Sequence, residues 1–260
     1  MTGRRLVTRR DCLASAAAVL AAGCASRAPV APSLDELIAR HTAASGGAAA
    51  IEAVRNAAYE IDITEPTFKV SGVYVVDRRG RMRIDIHADG RRVYTEAFDG
   101  RVAWQMEGDG KARPSAPTGA AALWHGTQFP GKLLGLHEMA AQGHRLALRP
   151  DEVLDGRAFH VVDLTFSDGF VTRLYLDPET ALVARQRDVR ALHPDLDPAK
   201  KPLENRFTDY RAVDGVLRSF GGSQHDAADG RWLQTSVVTA LRQNVVLDEA
   251  MFAMGAMPDR

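Results

Sequence analysis

The feature that most restricts the fold of this chain is a set of segments in which apolar and polar residues alternate with a period of two. Tyr59, Ile61 and Ile63 alternate with polar residues, and the pattern returns between Met82 and Ala88. Such alternation is typical of β-strands with one face in water. Asp-Gly occurs seven times in the sequence, and this pair favours tight hairpin turns because both positions tolerate positive φ. The pattern predicts a meander of antiparallel strands.

We predict about eleven strands from this alternation. The first group contains strands starting at Tyr59 and covering 68–77, 82–88, 91–98 and 101–107, and the second covers 157–166, 169–177, 182–189, 206–213, 216–224 and 231–242. A single sheet of this size has to curl or leave a wide apolar face in water. The predicted fold class is therefore mainly β with α, a single long antiparallel sheet curled into an open half-barrel and covered by helices.

Helices are predicted at the start and in the middle of the folded body. Ser33 followed by Glu36 has the spacing of a capping box, and the apolar side chains after it share one helix face as far as His41. A second helical turn is predicted over 48–56. The segment 114–142 loses the two-residue alternation, and we predict a helix over 132–141 within it. The proline-rich segment 191–202 indicates an exposed connection.

The first residues have the composition of an export signal. Four arginines, at positions 4, 5, 9 and 10, precede an uncharged run over 12–23. That run is shorter than the roughly 20 residues that span a bilayer as a helix, and the pattern is that of a signal peptide. We divide the chain into a lipoprotein signal peptide at 1–23, a lipidated cysteine with a tether at 24–32, and one domain at 33–260.

The cysteine at the end of this signal is the predicted lipidation site. Leu20 to Cys24, reading LAAGC, resembles a bacterial lipobox, which implies that Cys24 carries diacylglycerol. Ala25 after it favours sorting to the outer membrane in the lipoproteins that this pattern resembles. The alternative is a plain secretory signal. Thr8 to Leu13 is similar to a twin-arginine motif, so export by the Tat or the Sec route stays open.

Charge and cysteine content exclude several classes. The chain has 33 Lys+Arg against 33 Asp+Glu, so it has no net basic field for nucleic acid. Both cysteines, Cys12 and Cys24, precede the folded body, which therefore has no disulfide and no thiolate metal site. We predict no cofactor, no metal and no nucleic-acid partner.

Three later motifs resemble the LolA/LolB-like superfamily. They are the hairpin 98–104 (FDGRVAW), the turn 174–183 (LYLDPETALV) and the hairpin 209–216 (DYRAVDGV). The resemblance implies an unclosed antiparallel barrel with helices as a lid, a fold used by lipoprotein carriers, their receptors and related lipid-handling lipoproteins. No lid-holding arginine of the carriers aligns with a specific residue here.

Catalytic patterns are weak. Ser223, His225 and Asp226 are close in sequence but lack the G-x-S-x-G elbow of a hydrolase, and neighbouring side chains rarely form a triad. His137 and His144 do not have the spacing of a helical zinc motif. His160, on an apolar strand face, and His41 are interpreted as core histidines held by a hydrogen bond, with a headgroup contact as the alternative. We predict no catalytic residue.

An apolar ligand cavity is the best-supported site. Barrel mouths commonly bind small apolar ligands, and large apolar side chains of the strands and the middle segment are the predicted lining: Met82, Ile84, Ile86, Val93, Trp104, Trp124, Phe129, Leu133, Leu164, Phe166, Leu174 and Leu176. A dry, filled core is the alternative interpretation of the same residues.

The predicted function is that of a periplasmic, outer-membrane-anchored lipoprotein. It would bind or carry acyl chains or a lipidated peptide, in lipid or lipoprotein trafficking, without catalysis. The alternative is a structural or sensory envelope scaffold that binds a protein partner, and a hydrolase using Ser223 ranks last.

Overall fold

The computed structural model describes residues 31–129, 133–194 and 197–255. The predicted signal peptide, Cys24 and most of the tether lie outside these residues. In the described part of the chain, no helix is both long and apolar enough to cross a membrane.

Thirteen strands form one antiparallel sheet. The strands are β1 (Asn56–Thr64), β2 (Lys69–Asp77), β3 (Met82–Ala88), β4 (Arg91–Phe98), β5 (Ala103–Glu107), β6 (Arg113–Pro114), β7 (Arg145–Leu154), β8 (Arg157–Thr165), β9 (Val171–Leu176), β10 (Val183–Arg190), β11 (Lys201–Val213), β12 (Val216–Asp226) and β13 (Trp232–Gln243). The predicted fold class is confirmed: the sheet is not closed, and helices accompany it.

Strand order divides the sheet into two meanders that meet in the middle. The order is β6-β5-β4-β3-β2-β1-β13-β12-β11-β10-β9-β8-β7, so β1 pairs with β13 and each meander runs outward from that pair. Ile61 lies opposite Val238 across the junction, beside a bulge after Glu60. The two halves of the sequence therefore share one continuous surface.

The predicted count of about eleven strands is too low, because two edge strands lack the alternation. β6 has only two residues and includes Pro114. β7 is largely exposed along its length. It also contains Pro150 and a bulge between Arg149 and Glu152. In addition, β11 begins at Lys201, inside the segment predicted as a connection.

Asp-Gly turns take the predicted conformation at three hairpins. Asp89-Gly90, Asp155-Gly156 and Asp214-Gly215 all have positive φ at both residues. This is the backbone of the type I′ turn, whose twist matches that of the flanking strands.

Within the described residues, three α-helices accompany the sheet: α1 (Leu34–Ala44), α2 (Ala48–Ala53) and α3 (Pro117–Thr127). The capping box at α1 is confirmed, since the Glu36 amide donates to Ser33 Oγ and the Ser33 amide donates to the Glu36 carboxylate at 2.7 Å. The backbone amide of Leu217 donates to Ser45 O at 3.0 Å, which joins the α1–α2 connection to the β11–β12 turn.

The helix predicted over 132–141 is wrong. This segment contains a short 3₁₀ helix at Leu136–Glu138, and the α-helix of the middle region is α3 instead. Pro117 occupies the first turn of α3, where its missing N–H costs nothing. Leu133, Leu136 and Met139 are buried and repeat every three residues, a spacing that places them on one side of a 3₁₀ turn.

The helices cover one face of the sheet, which we call the inner face. One apolar cluster there includes Tyr59, Ile61, Ile84 and Phe220. A second cluster lies toward β8 and β9 and includes Leu174. The opposite, outer face has two smaller clusters, one around Trp104 and one around Phe159. The two clusters of the inner face meet near the centre of the sheet.

Candidate ligand-binding cavity

A cavity of about 150 Å³ lies where the two inner-face clusters meet. The helix α1, the central strands and the residues after α3 border it, and one side is open to solvent. Its lining residues are His41, Ser45, Ile51, Tyr59, Ile61, Phe129, Leu134, Gly135, Val183, Phe207, Tyr210, Val216, Leu217, Arg218, Ser219, Phe220, Gly221, Gly222, Ser236 and Val238. Ten of these residues are apolar, three are glycines and seven carry a polar group, so the wall is of mixed character.

Small residues form one part of the wall. Gly222 lies opposite Phe207 on β11 and opposite Ser236 on β13. A Cβ on Gly222 would stand 3.0 Å from Ser236 Oγ, closer than a side chain tolerates without a shift. The absence of a side chain at this point leaves a shallow trough along the inner face of β12.

Residues 117–129 and 133–139, which we call the covering segment, form the other side of the core. Leu123, Phe129, Leu133, Leu136 and Met139 are all buried there. Their side chains join both inner-face clusters. The covering segment therefore packs over the apolar inner face of the sheet.

Arg78 attaches the covering segment to the sheet. Its guanidinium donates to Glu138 Oε1 at 2.6 Å and to Val54 O at 2.6 Å, and it also donates to Ile51 O. Glu138 in turn accepts a hydrogen bond from the Gly135 amide at 2.7 Å. One side chain at the β2–β3 turn thus holds both the end of α2 and the 3₁₀ turn.

Arg218 makes a second contact with the covering segment. Its Nη2 donates to Leu133 O at 3.3 Å. Burial lowers the pKa of Arg218 from its ordinary value, and the nearby charge of Arg78 acts in the same direction. Tyr59 lies beside it on the cavity wall, where burial raises the tyrosine pKa to about 12. At neutral pH the cavity wall therefore carries a neutral phenol and a partly buried guanidinium cation.

His41 is a buried histidine of α1 that faces the same cavity. Its Nδ1 lies 2.9 Å from Ala181 O, and because a carbonyl only accepts, Nδ1 carries the hydrogen. The ring meets Phe129 edge-on at 5.4 Å. Burial lowers the pKa of His41, against a smaller effect of this hydrogen bond, so the neutral ring is favoured. The core-histidine interpretation fits this geometry.

A second histidine cluster borders the covering segment near β8 and β9. His125 Nε2 lies 2.8 Å from Asp168 Oδ2, and its ring stacks on Phe170 at 4.1 Å. His144 accepts a hydrogen bond at Nδ1 from the Ser167 amide at 3.1 Å, and its Nε2 lies 3.0 Å from Gln128 Oε1. The end of α3 is therefore fixed to the β8–β9 turn by polar contacts.

Most of the predicted lining residues lie on the inner face, but only Phe129 contacts the cavity itself. Met82, Ile84, Ile86 and Leu133 belong to the first cluster, Leu164, Phe166, Leu174 and Leu176 to the second, and Trp124 packs against both. The remaining two, Trp104 and Val93, lie outside both inner-face clusters.

Trp104 lies on the outer face and Val93 is 42% exposed. Trp104 pairs with Ala97 on β4, and Ala97 pairs with Arg83 on β3. Arg83 is next to Ile84 in the strand, so Trp104 and Ile84 lie on opposite faces of the sheet. It donates from Nε1 to Phe252 O at 2.8 Å. Four consecutive residues from Ala103 to Met106 are buried, so the alternation in β5 does not identify the inner side. Val93 is next to a bulge that offsets the pairing of β3 with β4.

Sequence reasoning missed the residues on β11, β12 and β13 that line the cavity. The sequence shows the alternation of apolar and polar residues in these strands. Their contact with the cavity, however, depends on the pairing of β1 with β13, which brings Ile61 beside Val238. Arg218 was missed because a single arginine in a strand with many polar residues gives no sequence signal for a binding site.

The Ser223 motif lies away from the cavity and lacks the geometry of a triad. Ser223 Oγ lies 3.0 Å from His225 Nε2, but His225 Nδ1 faces Gly230 O at 3.2 Å, where a triad has a carboxylate. The Asp226 carboxylate instead lies 3.6 Å from Arg231. His137 pairs with Glu52 at 3.2 Å, and no group of three metal-binding side chains occurs within the described residues. His160 pairs with Asp151 at 3.1 Å.

Comparison with solved structures identifies the fold. A LolA superfamily protein from Nitrosomonas europaea has a TM-score of 0.54 at 10% identity, with 86% of this chain and 98% of that chain covered. A DUF1329 family protein from Desulfovibrio piger has a TM-score of 0.51 at 12% identity, with 78% of this chain and 91% of that chain covered.

These likenesses confirm the resemblance that the sequence motifs carry, and the chain has a LolA-like fold. At such low identity they establish the architecture alone. No family model matches the sequence. No curated protein matches it either.

Proposed function

We propose that this chain is a periplasmic lipoprotein that binds acyl chains, free or attached to a polypeptide, and carries or sequesters them without covalent chemistry. The observation that carries the proposal is the cavity at the centre of the inner face, half of whose lining residues are apolar and which the covering segment borders. Apolar burial, at about 25 cal/mol per Å², supplies the driving force for such binding.

Cavity size requires the covering segment to move. The cavity volume of about 150 Å³ holds a group the size of benzene, whereas ligand pockets usually have about 300–1,000 Å³. An acyl chain therefore enters only when the covering segment shifts away from β11 and β12. The cost of this opening limits the affinity.

Cys24 is the proposed anchor. A diacylglyceryl cysteine with a further acyl chain holds stably to a membrane, because single chains bind only marginally. We propose the outer membrane as the location, with export by the Tat or the Sec route.

Mass spectrometry of the protein isolated from bacterial envelopes tests both parts of the proposal. Denaturing spectra are expected to show acylation at Cys24 and its loss in Cys24→Ser. Native spectra are expected to show a bound lipid, which leaves on organic extraction. A ligand-free protein that also fails to bind the apolar fluorophore N-phenyl-1-naphthylamine would contradict the carrier function. A stoichiometric protein partner on such a ligand-free chain would favour the scaffold alternative.

A further inference from the structure

Arg218 is placed where an acyl ligand would meet it. It lies on β12 between Val216 and Phe220, two apolar residues of the same cavity wall. Along this strand the wall continues from Arg218 past Phe220 to Gly222. At about 3.3 Å per residue, the distance from Arg218 to Gly222 is roughly 13 Å. The cation thus stands at one end of an apolar strip that ends in the trough at Gly222.

The guanidinium is incompletely satisfied. Its Nε is buried and has no hydrogen-bond partner, and the bond of Nη2 to Leu133 O is long at 3.3 Å. Among the residues that the structure describes, Arg218 forms no ion pair, and the Glu138 carboxylate, which raises its pKa, is bound to Arg78 at 2.6 Å. Leaving a buried nitrogen of a partly buried guanidinium without a partner is costly, because its loss of hydration is not compensated.

Arg83 shows how this protein pairs an arginine buried elsewhere. On the outer face, Arg83 donates to both carboxylate oxygens of Asp85, at 2.8 and 3.0 Å, and to Met251 O at 2.8 Å. Arg218 has the same chemistry without such a carboxylate. Adjacent N–H groups of a guanidinium match the two oxygens of a carboxylate, so the missing partner has the chemistry of a carboxylate.

We propose that Arg218 binds the carboxylate headgroup of a single-chain fatty acid, whose tail lies along Phe220 and Gly222. This inference rests on the proposed acyl-binding function and adds its headgroup class. The carboxylate accepts the Nε hydrogen and one from the terminal nitrogens, and it competes with Leu133 O for the guanidinium. Binding of the headgroup therefore also weakens one attachment of the covering segment.

The test compares three ligands of equal chain length with the purified full-length protein at pH 7.5. Laurate, lauramide and methyl laurate each compete with N-phenyl-1-naphthylamine, a neutral fluorophore. We expect laurate to compete at least about tenfold better than lauramide in the native protein, since hydrogen bonds to charged groups are the stronger ones. This preference is lost in Arg218→Met and partly kept in Arg218→Lys.

Arg242→Met is the matched control, because Arg242 is exposed on β13 and pairs with Glu60 at 2.9 Å. It removes the same net charge and is expected to keep the preference for laurate. Equal competition by laurate and lauramide in the native protein would overturn the inference, as would a preference that survives Arg218→Met. If the fluorophore itself does not bind the native protein, the acyl-binding function fails instead.

Discussion

The backbone amide of Leu217 donates a hydrogen bond of 3.0 Å to the carbonyl oxygen of Ser45, and this pair fixes the helical hairpin to the β11–β12 turn. The approach is close enough that a Cβ on Gly46 would lie 2.2 Å from Gly215 O. Ser45 and Leu217 both line the cavity. The position of α1 over the sheet therefore depends on a backbone contact next to the candidate site.

Gly46→Ala should separate the α1–α2 connection from the β11–β12 turn. The residue has φ of 115° and meets backbone atoms that cannot rotate away, so we expect a loss of about 3 kcal/mol in the free energy of unfolding. Gly47→Ala is the control, since Gly47 also has positive φ but a Cβ on it would meet no atom within 4 Å; it should cost about 1–2 kcal/mol. Urea unfolding measures both, and equal losses would argue against the close packing.

Filling the trough should block ligand binding. Ser236→Phe introduces a large side chain on the inner face beside Gly222, and we expect the affinity for N-phenyl-1-naphthylamine to fall at least about tenfold. Val237→Phe is the matched control, because the next residue of β13 is 45% exposed on the outer face. Fluorescence titration compares the two variants. An unchanged affinity in Ser236→Phe would place the ligand elsewhere.

Removal of the Arg78 side chain should loosen the covering segment. Arg78→Met deletes the donors to Val54 O, Ile51 O and Glu138, and we expect a loss of about 2–3 kcal/mol in stability. Hydrogen exchange should become faster at residues 133–139 in particular, and the fluorophore should enter faster.

The neighbouring Arg79→Met provides the comparison. Arg79 pairs with Glu249 at the surface, where both side chains are more than half exposed, and such pairs contribute about 0–1 kcal/mol. Similar exchange rates in the two variants would contradict an attachment role for Arg78.

Stability should decrease in mild acid through His144. Burial lowers the pKa of His144, against a smaller opposing effect of Asp168. Because the folded state disfavours the imidazolium, the unfolded chain binds the proton first, and the stabilisation is complete above pH about 6.5 and declines below it. Protonation also removes the Nδ1 acceptor of the Ser167 amide.

His144→Asn tests this pH dependence, since the amide oxygen can replace the Nδ1 acceptor without titrating. Thermal midpoints at pH 7.5 and 5.5 should differ less in this variant than in the native protein. His41 and His125, whose pKa values burial also lowers, contribute to the remaining difference, and Asp188, whose pKa burial raises, acts in the opposite direction. Identical differences in both proteins would exclude His144 as a contributor.

Local patterns predicted the strands and the first helix because each depends on residues close in sequence. The capping pair Ser33 and Glu36 and the Asp-Gly turns needed no tertiary information. The strand β7 was missed because Pro150 and exposed charged residues interrupt the alternation on an edge. The helix α3 was missed because its apolar residues do not follow a clear period.

The cavity depends on long-range pairing, which explains why its residues were only partly predicted. Alternation defines two faces for each strand but does not say which one the helices cover, and Trp104 was assigned to the inner face for this reason. Ile61 and Val238 become neighbours only through the β1–β13 pair. The sequence did not indicate Arg218 as a binding residue, because its place on the cavity wall and its unpartnered Nε are features of the tertiary structure.

Both edge strands of the open sheet contain a proline, which is Pro114 in β6 and Pro150 in β7. Proline has no amide hydrogen, and the bulge beside Pro150 breaks the spacing of the remaining donors. A strand from another molecule therefore finds no uninterrupted row of hydrogen-bond donors at either margin. This arrangement lets the sheet stay unclosed without joining edge to edge into fibrils.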